Sequence, residues 1–258
     1  MRRTAPAVLV LALLAAGCAK GAATDTLTPA QAVRAAAKTP NQTSSRLDLL
    51  STTHAGGQDI TIKGSGEFAN VDGSPVGEMS IDVGTIGIKE RIVGGVLYLQ
   101  PPGQGTYFSL PLNELGATSL GQSADPGSAA QLLSAMSDDT VKVGTETIHG
   151  AKTTHYKGTI DVTRAKALAP NDFARKAIQR LLDNGATTIP ADVYIDSKGR
   201  LRRVVQHIAL TVKGISTDST SQIDLYDFGV KVDVQKPAAS DIRDGSALLK
   251  SLQNQGVA

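Results

Sequence analysis

The side chains best suited to chemistry in this sequence are four histidines, His54, His149, His155 and His207. A metal site needs three or four nitrogen, sulfur or carboxylate ligands at short, regular spacings. His149 and His155 flank one predicted hairpin, but no cysteine or close carboxylate pair completes such a spacing. The motifs H-E-x-x-H and G-x-S-x-G are absent, as is a phosphate-cradling glycine loop. The sequence therefore predicts no metal, no cofactor and no catalytic residue, although a Ser-His-Asp triad assembled only by the fold stays open as a weaker alternative.

The single cysteine, Cys18, follows a short basic start and an apolar stretch over residues 5–16. That stretch is shorter than the roughly 20 residues that a membrane-spanning helix needs, and the pattern is typical of a secretory signal over residues 1–17. The residues L-L-A-A-G-C at 13–18 resemble the lipobox of bacterial lipoproteins, with Ala15 where leucine is commonest. The resemblance implies cleavage before Cys18, a diacylglyceryl group on its sulfur and a lipidated tether over residues 18–27. The alternative is an ordinary cleavable signal with an incidental cysteine.

Two acyl chains, at ~0.8 kcal/mol per buried CH₂, would hold such a protein on a membrane without a spanning helix. The predicted location is therefore the outer face of the cytoplasmic membrane. Arg2 and Arg3 supply the formal net charge of +2, so the chain from Cys18 onward is neutral. A neutral chain gives no support to nucleic-acid binding, which needs a basic surface.

Residues 189–210 predict the antiparallel hairpin around which the rest of the chain is organised. Ala191, Val193 and Ile195 alternate with polar residues, which indicates a half-buried strand. The turn D-S-K-G at 196–199 combines an aspartate that can bond its own backbone with a glycine that tolerates positive φ. The second strand carries its apolar residues on one parity. A hairpin with one apolar face needs a cover, which protein or lipid could supply.

The remaining elements predict one α+β domain over residues 28–258. In chain order they are a helix starting at Thr28, about five strands over 46–110, a helix starting at Asp125, two strands over 141–162, a helical block over 162–184 broken at Pro170, strands at 221–228 and 230–234, and a helix over 244–253. Gly64 and Gly66 lie inside a strand, which suggests a bend or a close approach of another group. Short turns between strands favour antiparallel pairing, so we expect a curled sheet with helices on its concave face.

Two hairpins resemble a known family. Residues G-A-K-T-T-H-Y at 150–156 resemble the G-x-x-T-x-H-Y hairpin of actinobacterial LppX/LprG-type (LppX_LprAFG) lipoproteins. Residues 190–203 resemble the family's P-x-x-V-W-I-D-x-x-G-R-L-R-R hairpin, with Tyr194 at the aromatic position. The resemblance implies a half-barrel antiparallel sheet around helices, similar to the LolA and LolB carriers, with an apolar cavity for acyl chains. It also implies an acylated lipid or glycolipid as the partner, with an envelope transporter as a further possible one, and no catalysis.

Apolar residues that share a strand face or a helical stripe are the candidates for the wall of that cavity. They are Ile60, Ile62, Phe68, Met79, Ile81, Val83, Leu132, Leu133, Met136, Val193 and Ile195. The same residues are compatible with a filled core. A structural or interaction lipoprotein therefore remains the alternative to a lipid carrier, and an empty aliphatic pocket would separate the two.

Basic side chains gather at the tip of the organising hairpin. Because each basic residue near an anionic membrane surface contributes ~1 kcal/mol, these are candidates for contact with lipid headgroups or the membrane. The alternative is a solvated face of the protein. The candidates are Lys198, Arg200, Arg202 and Arg203.

Overall fold

The structure is a computed structural model that describes residues 27–255 except 42, 73, 113–129, 170–171 and 213. In these residues the strands are β1 Ser45–Ala55, β2 Gln58–Val71, β3 Ser74–Val83, β4 Ile86–Val93, β5 Val96–Gln100, β6 Tyr107–Pro111, β7 Val141–Ile148, β8 Ala151–Asp161, β9 Thr188–Asp196, β10 Leu201–Val212, β11 Ile215–Tyr226 and β12 Ile242–Asp244. The helices are α1 Pro29–Ala36, α2 Val162–Ala167, α3 Asp172–Asp183 and α4 Ser246–Gln255. Short 3-10 turns occupy Thr39–Asn41, Leu133–Ala135 and Ala239–Asp241.

The strands form a single open sheet in the order β12-β6-β5-β4-β3-β2-β1-β11-β10-β9-β8-β7. Two antiparallel meanders, β1–β6 and β7–β11, meet where β1 pairs with β11, and β12 adds to β6 in parallel. A twisted open sheet of this width curls instead of staying flat. The predicted α+β half-barrel is therefore confirmed, with the helices packed on the apolar side of the sheet.

The pairing register separates two faces of the sheet. Leu47, Gly66, Met79, Glu90 and Leu99 pair in one row across β1–β5, on the face that also carries the core; we call it the concave face. The neighbouring row projects to the opposite, outer face and is mostly charged; its members are Arg46, Glu67, Glu78 and Arg91. This alternation follows from the two-residue period of a strand.

Gly66 and Gly77 allow β2 and β3 to lie close together. A Cβ atom at Gly66 would stand 2.2 Å from the carbonyl oxygen of Glu78, and one at Gly77 would stand 2.2 Å from Cδ1 of Phe68. Neither space accepts a methyl group without a shift of the partner strand. The close approach predicted for glycines inside this strand is confirmed.

Helix ends follow their sequence signals. Thr28, where a helix start is predicted, caps α1 through a capping box with Gln31. Gly185, whose φ is 93°, follows the last turn of α3. The Gly185 N–H donates to the Leu182 carbonyl and the Ala186 N–H donates to the Leu181 carbonyl, which is the Schellman arrangement.

The structure differs from the predicted elements at two places, and two further predictions lie outside the described residues. The strand predicted at 230–234 is wrong, because both edges of β11 are already paired and positive φ at Asp227 and Gly229 turns the chain off the sheet. The short strand β12 was not expected, since three residues carry too little periodicity to be recognised. The helix start predicted at Asp125 lies outside the described residues, which resume at 130 with one helical turn. The signal over residues 1–17 and Cys18 also lie outside them.

Candidate functional site

The floor of the concave face is a continuous apolar surface. Side chains from both meanders and from the helices form one connected cluster. Of the predicted cavity residues, seven are buried in this cluster: Phe68, Met79, Ile81, Leu133, Met136, Val193 and Ile195. Leu132 packs against the cluster but is only partly buried. The register and packing therefore bring together residues from β2, β3, β9 and the turn after residue 132.

One end of this face remains partly open. The turns β1–β2, β3–β4 and β10–β11 lie at that end, and there Ile60, Ile86 and Ile215 are 46%, 52% and 52% exposed. The neighbouring concave-face side chains are half-buried; they are Ile62, Val83, Ile88, Ile208 and Leu210. We call these eight residues the open rim. The open rim has two apolar patches, one on β2–β4 and one on β10–β11, and the concave-face residues between them are polar: Ser51, Thr53, Ser219 and Ser221. Exposed apolar patches beside a buried apolar floor are typical of a surface that binds something apolar.

The floor also carries one acid that sequence reasoning missed. Glu90 is 3% exposed, and its Oε2 atom has no hydrogen-bond partner among the described residues. Burial raises the pKa of its carboxyl group from 4.5 to about 7. The sequence contains a signal for this burial, because Glu90 alternates in phase with Ile88 and Ile92 and out of phase with the charged Lys89 and Arg91.

The two family-like hairpins meet on the outer face, not on the concave one. Arg203 donates to Asp224 through Nε at 2.6 Å and Nη2 at 2.5 Å. Nε2 of His149, in the β7–β8 turn, lies 3.1 Å from Oδ2 of Asp224, and its ring stacks on Tyr226 at 4.1 Å. These contacts hold the tip of the β7–β8 hairpin against β11.

His155 makes a second contact of the same kind. Its Nε2 lies 2.7 Å from Oδ1 of Asp192, its Nδ1 lies 3.2 Å from Oε1 of Glu146, and its ring stacks on Tyr194 at 4.3 Å. Within the described part of the chain, no three His, Cys, Asp or Glu side chains converge as metal ligands. The histidines and Tyr194 of the motifs therefore hold hairpins together.

Three of the four predicted headgroup contacts have acidic partners. Arg200 and Arg202 both donate to Asp196 and lie over the ring of Phe228. Burial tends to raise the pKa of Asp196, but hydrogen bonds from these arginines and from the turn backbone lower it to about 2. Arg203 is held by Asp224, while Lys198 is exposed and has no acidic partner among the described residues. Headgroup contact at this tip stays a prediction, and the geometry favours Lys198 for it over the arginines.

A cleft of about 470 Å³ lies on the outer face, over β1–β4. Most of its lining residues project from the outer face of the strands, among them Arg46, Glu67, Lys89 and Arg91. Its polar lining makes it unsuitable for acyl chains, so the apolar candidate surface is the concave face.

The curved open sheet, the apolar concave face and the helices packed on it define an open half-barrel. The chain belongs to the LppX_LprAFG lipoprotein family, whose model matches residues 28–234. LprF from Mycobacterium bovis has a similar crystal structure, with a TM-score of 0.51, 14% identity and coverage of 82% of this chain and 97% of that one. Lipoprotein LppX of Mycobacterium tuberculosis aligns with a TM-score of 0.44 and 17% identity, over 80% of this chain and 98% of that one.

A curated relative is an uncharacterised 31.2 kDa protein from the rplA–rplJ intergenic region of Streptomyces griseus. It is 34% identical over 134 residues, which cover 50% of this chain and 42% of that protein. The chain therefore spans less than half the length of this relative. Among the described helices, none is long and apolar enough to cross a membrane.

Proposed function

We propose that this protein is a membrane-anchored lipoprotein that binds acylated lipids or glycolipids on its concave face and carries or presents them in the cell envelope, without catalysis. The observation that supports this function best is the open rim, where exposed isoleucines continue into a buried apolar floor. Acyl chains that cover such a surface leave water at roughly 25 cal/mol per Å² of apolar area, with no bond made or broken. An envelope transporter that loads or unloads the lipid belongs to the same proposal.

The competing function is that of a structural or interaction lipoprotein with a filled core. The complete burial of Leu133 and Met136 beneath the sheet favours it, because these two side chains leave no room for a ligand at their own positions. The open rim favours the carrier, because a filled core gives no reason to leave Ile60 and Ile86, at neighbouring turns of one meander, exposed beside the floor. The two functions predict different results for a bulky residue at the rim.

Val83→Trp is expected to reduce the uptake of a diacyl lipid by at least about tenfold, because the indole would fill the half-buried entrance to the concave face. Native mass spectrometry of the chain from residue 19 onward, mixed with dipalmitoylphosphatidylglycerol, measures the bound fraction. The matched control is Asp82→Trp, one residue away on the outer face, which is expected to bind as the wild type does. Equal uptake by a folded Val83→Trp protein would contradict the assignment, and no uptake by the wild type would favour the filled core.

Cys18→Ala is expected to abolish incorporation of labelled palmitate and to release the protein from the membrane fraction. Cys18 is the sole cysteine of the sequence, so no other thiol can take the lipid. Metabolic labelling followed by fractionation makes the measurement, with the wild-type chain in the same host as the reference. A Cys18→Ala protein that is still labelled and still sediments with membranes would rule out the lipobox assignment.

A further inference from the structure

We propose that Glu90 is the polar contact for the bound lipid, where its carboxyl group hydrogen-bonds to a free hydroxyl group close to the acyl chains. This inference rests on the proposed function and names the ligand chemistry that the concave face selects. It concerns a residue in the middle of β4, away from both family-like hairpins.

The surroundings of Glu90 on the sheet are apolar. Met79 of β3 and Leu99 of β5 stand directly opposite it, and Ile88 and Ile92 flank it on the same face. Neither neighbouring strand presents a charged side chain to the concave face beside it, and no salt bridge to Glu90 exists among the described residues. Among the described residues, the Oε2 atom of this carboxyl group therefore lacks the partner that a buried acid in a finished core normally has.

An unsatisfied buried polar group destabilises the fold that contains it. Ligand sites are the places where such groups are useful, since an apolar surface with one or two placed polar groups fixes the orientation of a ligand. Glu90 lies two residues from Ile88 of the open rim, on the same face of β4, so a ligand that enters at the rim can approach it. Raised pKa values from burial are also commoner at functional sites than elsewhere.

A hydroxyl group fits Glu90 better than the other polar groups of lipids do. It can donate to the ionised carboxylate and can also accept from the protonated acid, so it satisfies Glu90 in both forms. An ester carbonyl can only accept, and an ammonium group can only donate and would bring a second charge into apolar surroundings. The chemical class is therefore a two-chain lipid with an unsubstituted hydroxyl group beside its chains.

The test pairs two ligands with three proteins. The ligands are 1,2-dipalmitoylglycerol and its 3-O-methyl ether, which keeps both chains and both esters and lacks the donor hydroxyl. The proteins are the wild type, Glu90→Leu and Glu90→Gln, each checked for folding by its melting temperature. Titration with native mass spectrometry or calorimetry gives the dissociation constants.

We expect the wild type to bind the diacylglycerol about tenfold more tightly than its methyl ether, the difference that one net hydrogen bond supplies. Glu90→Leu should lose this preference while it retains binding of the methyl ether, and Glu90→Gln should keep the preference because an amide also donates and accepts. A Glu90→Leu protein with undiminished preference overturns the inference and leaves lipid binding intact. A wild type that binds neither ligand overturns the proposed function itself, and the inference with it.

Discussion

Glu90→Gln is expected to raise the free energy of unfolding by up to ~3 kcal/mol above pH 7 and to change it little near pH 4. Burial raises the pKa of the Glu90 carboxyl from 4.5 to about 7, so at pH 8 the wild-type fold must hold a buried charge that has no ion-pair partner among the described residues. Glutamine keeps the shape and carries no charge. At pH 4 the glutamic acid of the wild type is protonated and also neutral. Both proteins then bury an uncharged side chain of similar shape, so their stabilities should be similar.

The direction of the pH dependence follows from the protons bound in each state. Between pH 4.5 and about 7 the folded wild type retains a proton on Glu90 that the unfolded chain has lost. The unfolded state therefore binds fewer protons, and stability falls as the pH rises through this window. Asp196 has the opposite effect on stability and in a lower pH range. Its pKa is lowered to about 2, so the stability that it contributes is lost only as the pH falls toward that value.

Denaturant unfolding of both proteins from pH 4 to pH 8 measures this effect, and the difference between the two curves removes contributions that the other groups make equally. Glu78→Gln is the matched control, since Glu78 lies on the outer face of the neighbouring strand and its side chain is half exposed. We expect that control to differ from the wild type by less than about 0.5 kcal/mol at every pH. Parallel curves for the wild type and Glu90→Gln would show that the carboxyl group of Glu90 is solvated in the native state.

Local pattern was sufficient to predict most strands and the class of the fold. The alternation of Val193 and Ile195 with polar neighbours, and the glycine at 199, determine the β9–β10 hairpin from residues close in sequence. The pairing of β1 with β11 joins residues such as Leu47 and Leu225, and no short-range pattern specifies such a contact. The strand predicted at 230–234 is wrong for the same reason. Only the order of strands in the sheet shows that both edges of β11 are already paired.

The sequence predicts which apolar side chains share one face of the sheet, but not how they are arranged on it. Strand parity alone places Met79 and Ile81 on one apolar face, but parity does not distinguish the buried floor from the exposed rim that contains Ile60. Burial at each position depends on which helix covers it. The basic hairpin tip shows a related limit, because the acid that pairs with Arg203 comes from the next strand, 21 residues later in the chain.

Asp224→Ala is expected to lower the free energy of unfolding by ~3 kcal/mol, the largest loss that we expect from a single change on the outer face. Asp224 is 4% exposed, accepts two hydrogen bonds from Arg203 and also contacts His149. Its removal leaves the guanidinium group of Arg203 partly buried without its counter-charge and frees the β7–β8 turn from β11. Because Arg203 keeps a quarter of its side chain in water, the loss should fall at the lower end of the range for broken buried pairs.

The matched control is Asp227→Asn, which removes an acid from the turn after the same strand and keeps a residue type that tolerates the positive φ of 46° at this position. Asp227 pairs with Arg46 at 3.1 Å, but both side chains are about half exposed, so we expect a change within about 0.5 kcal/mol. The double variant Asp224→Ala/Arg203→Met should recover part of the loss, because it removes the unpaired charge and keeps apolar contact with Tyr194. Equal and small effects of Asp224→Ala and Asp227→Asn would mean that the β7–β8 hairpin is held by its strand pairing alone. A large effect with no recovery in the double variant would instead assign the loss to the contacts of Asp224 with His149.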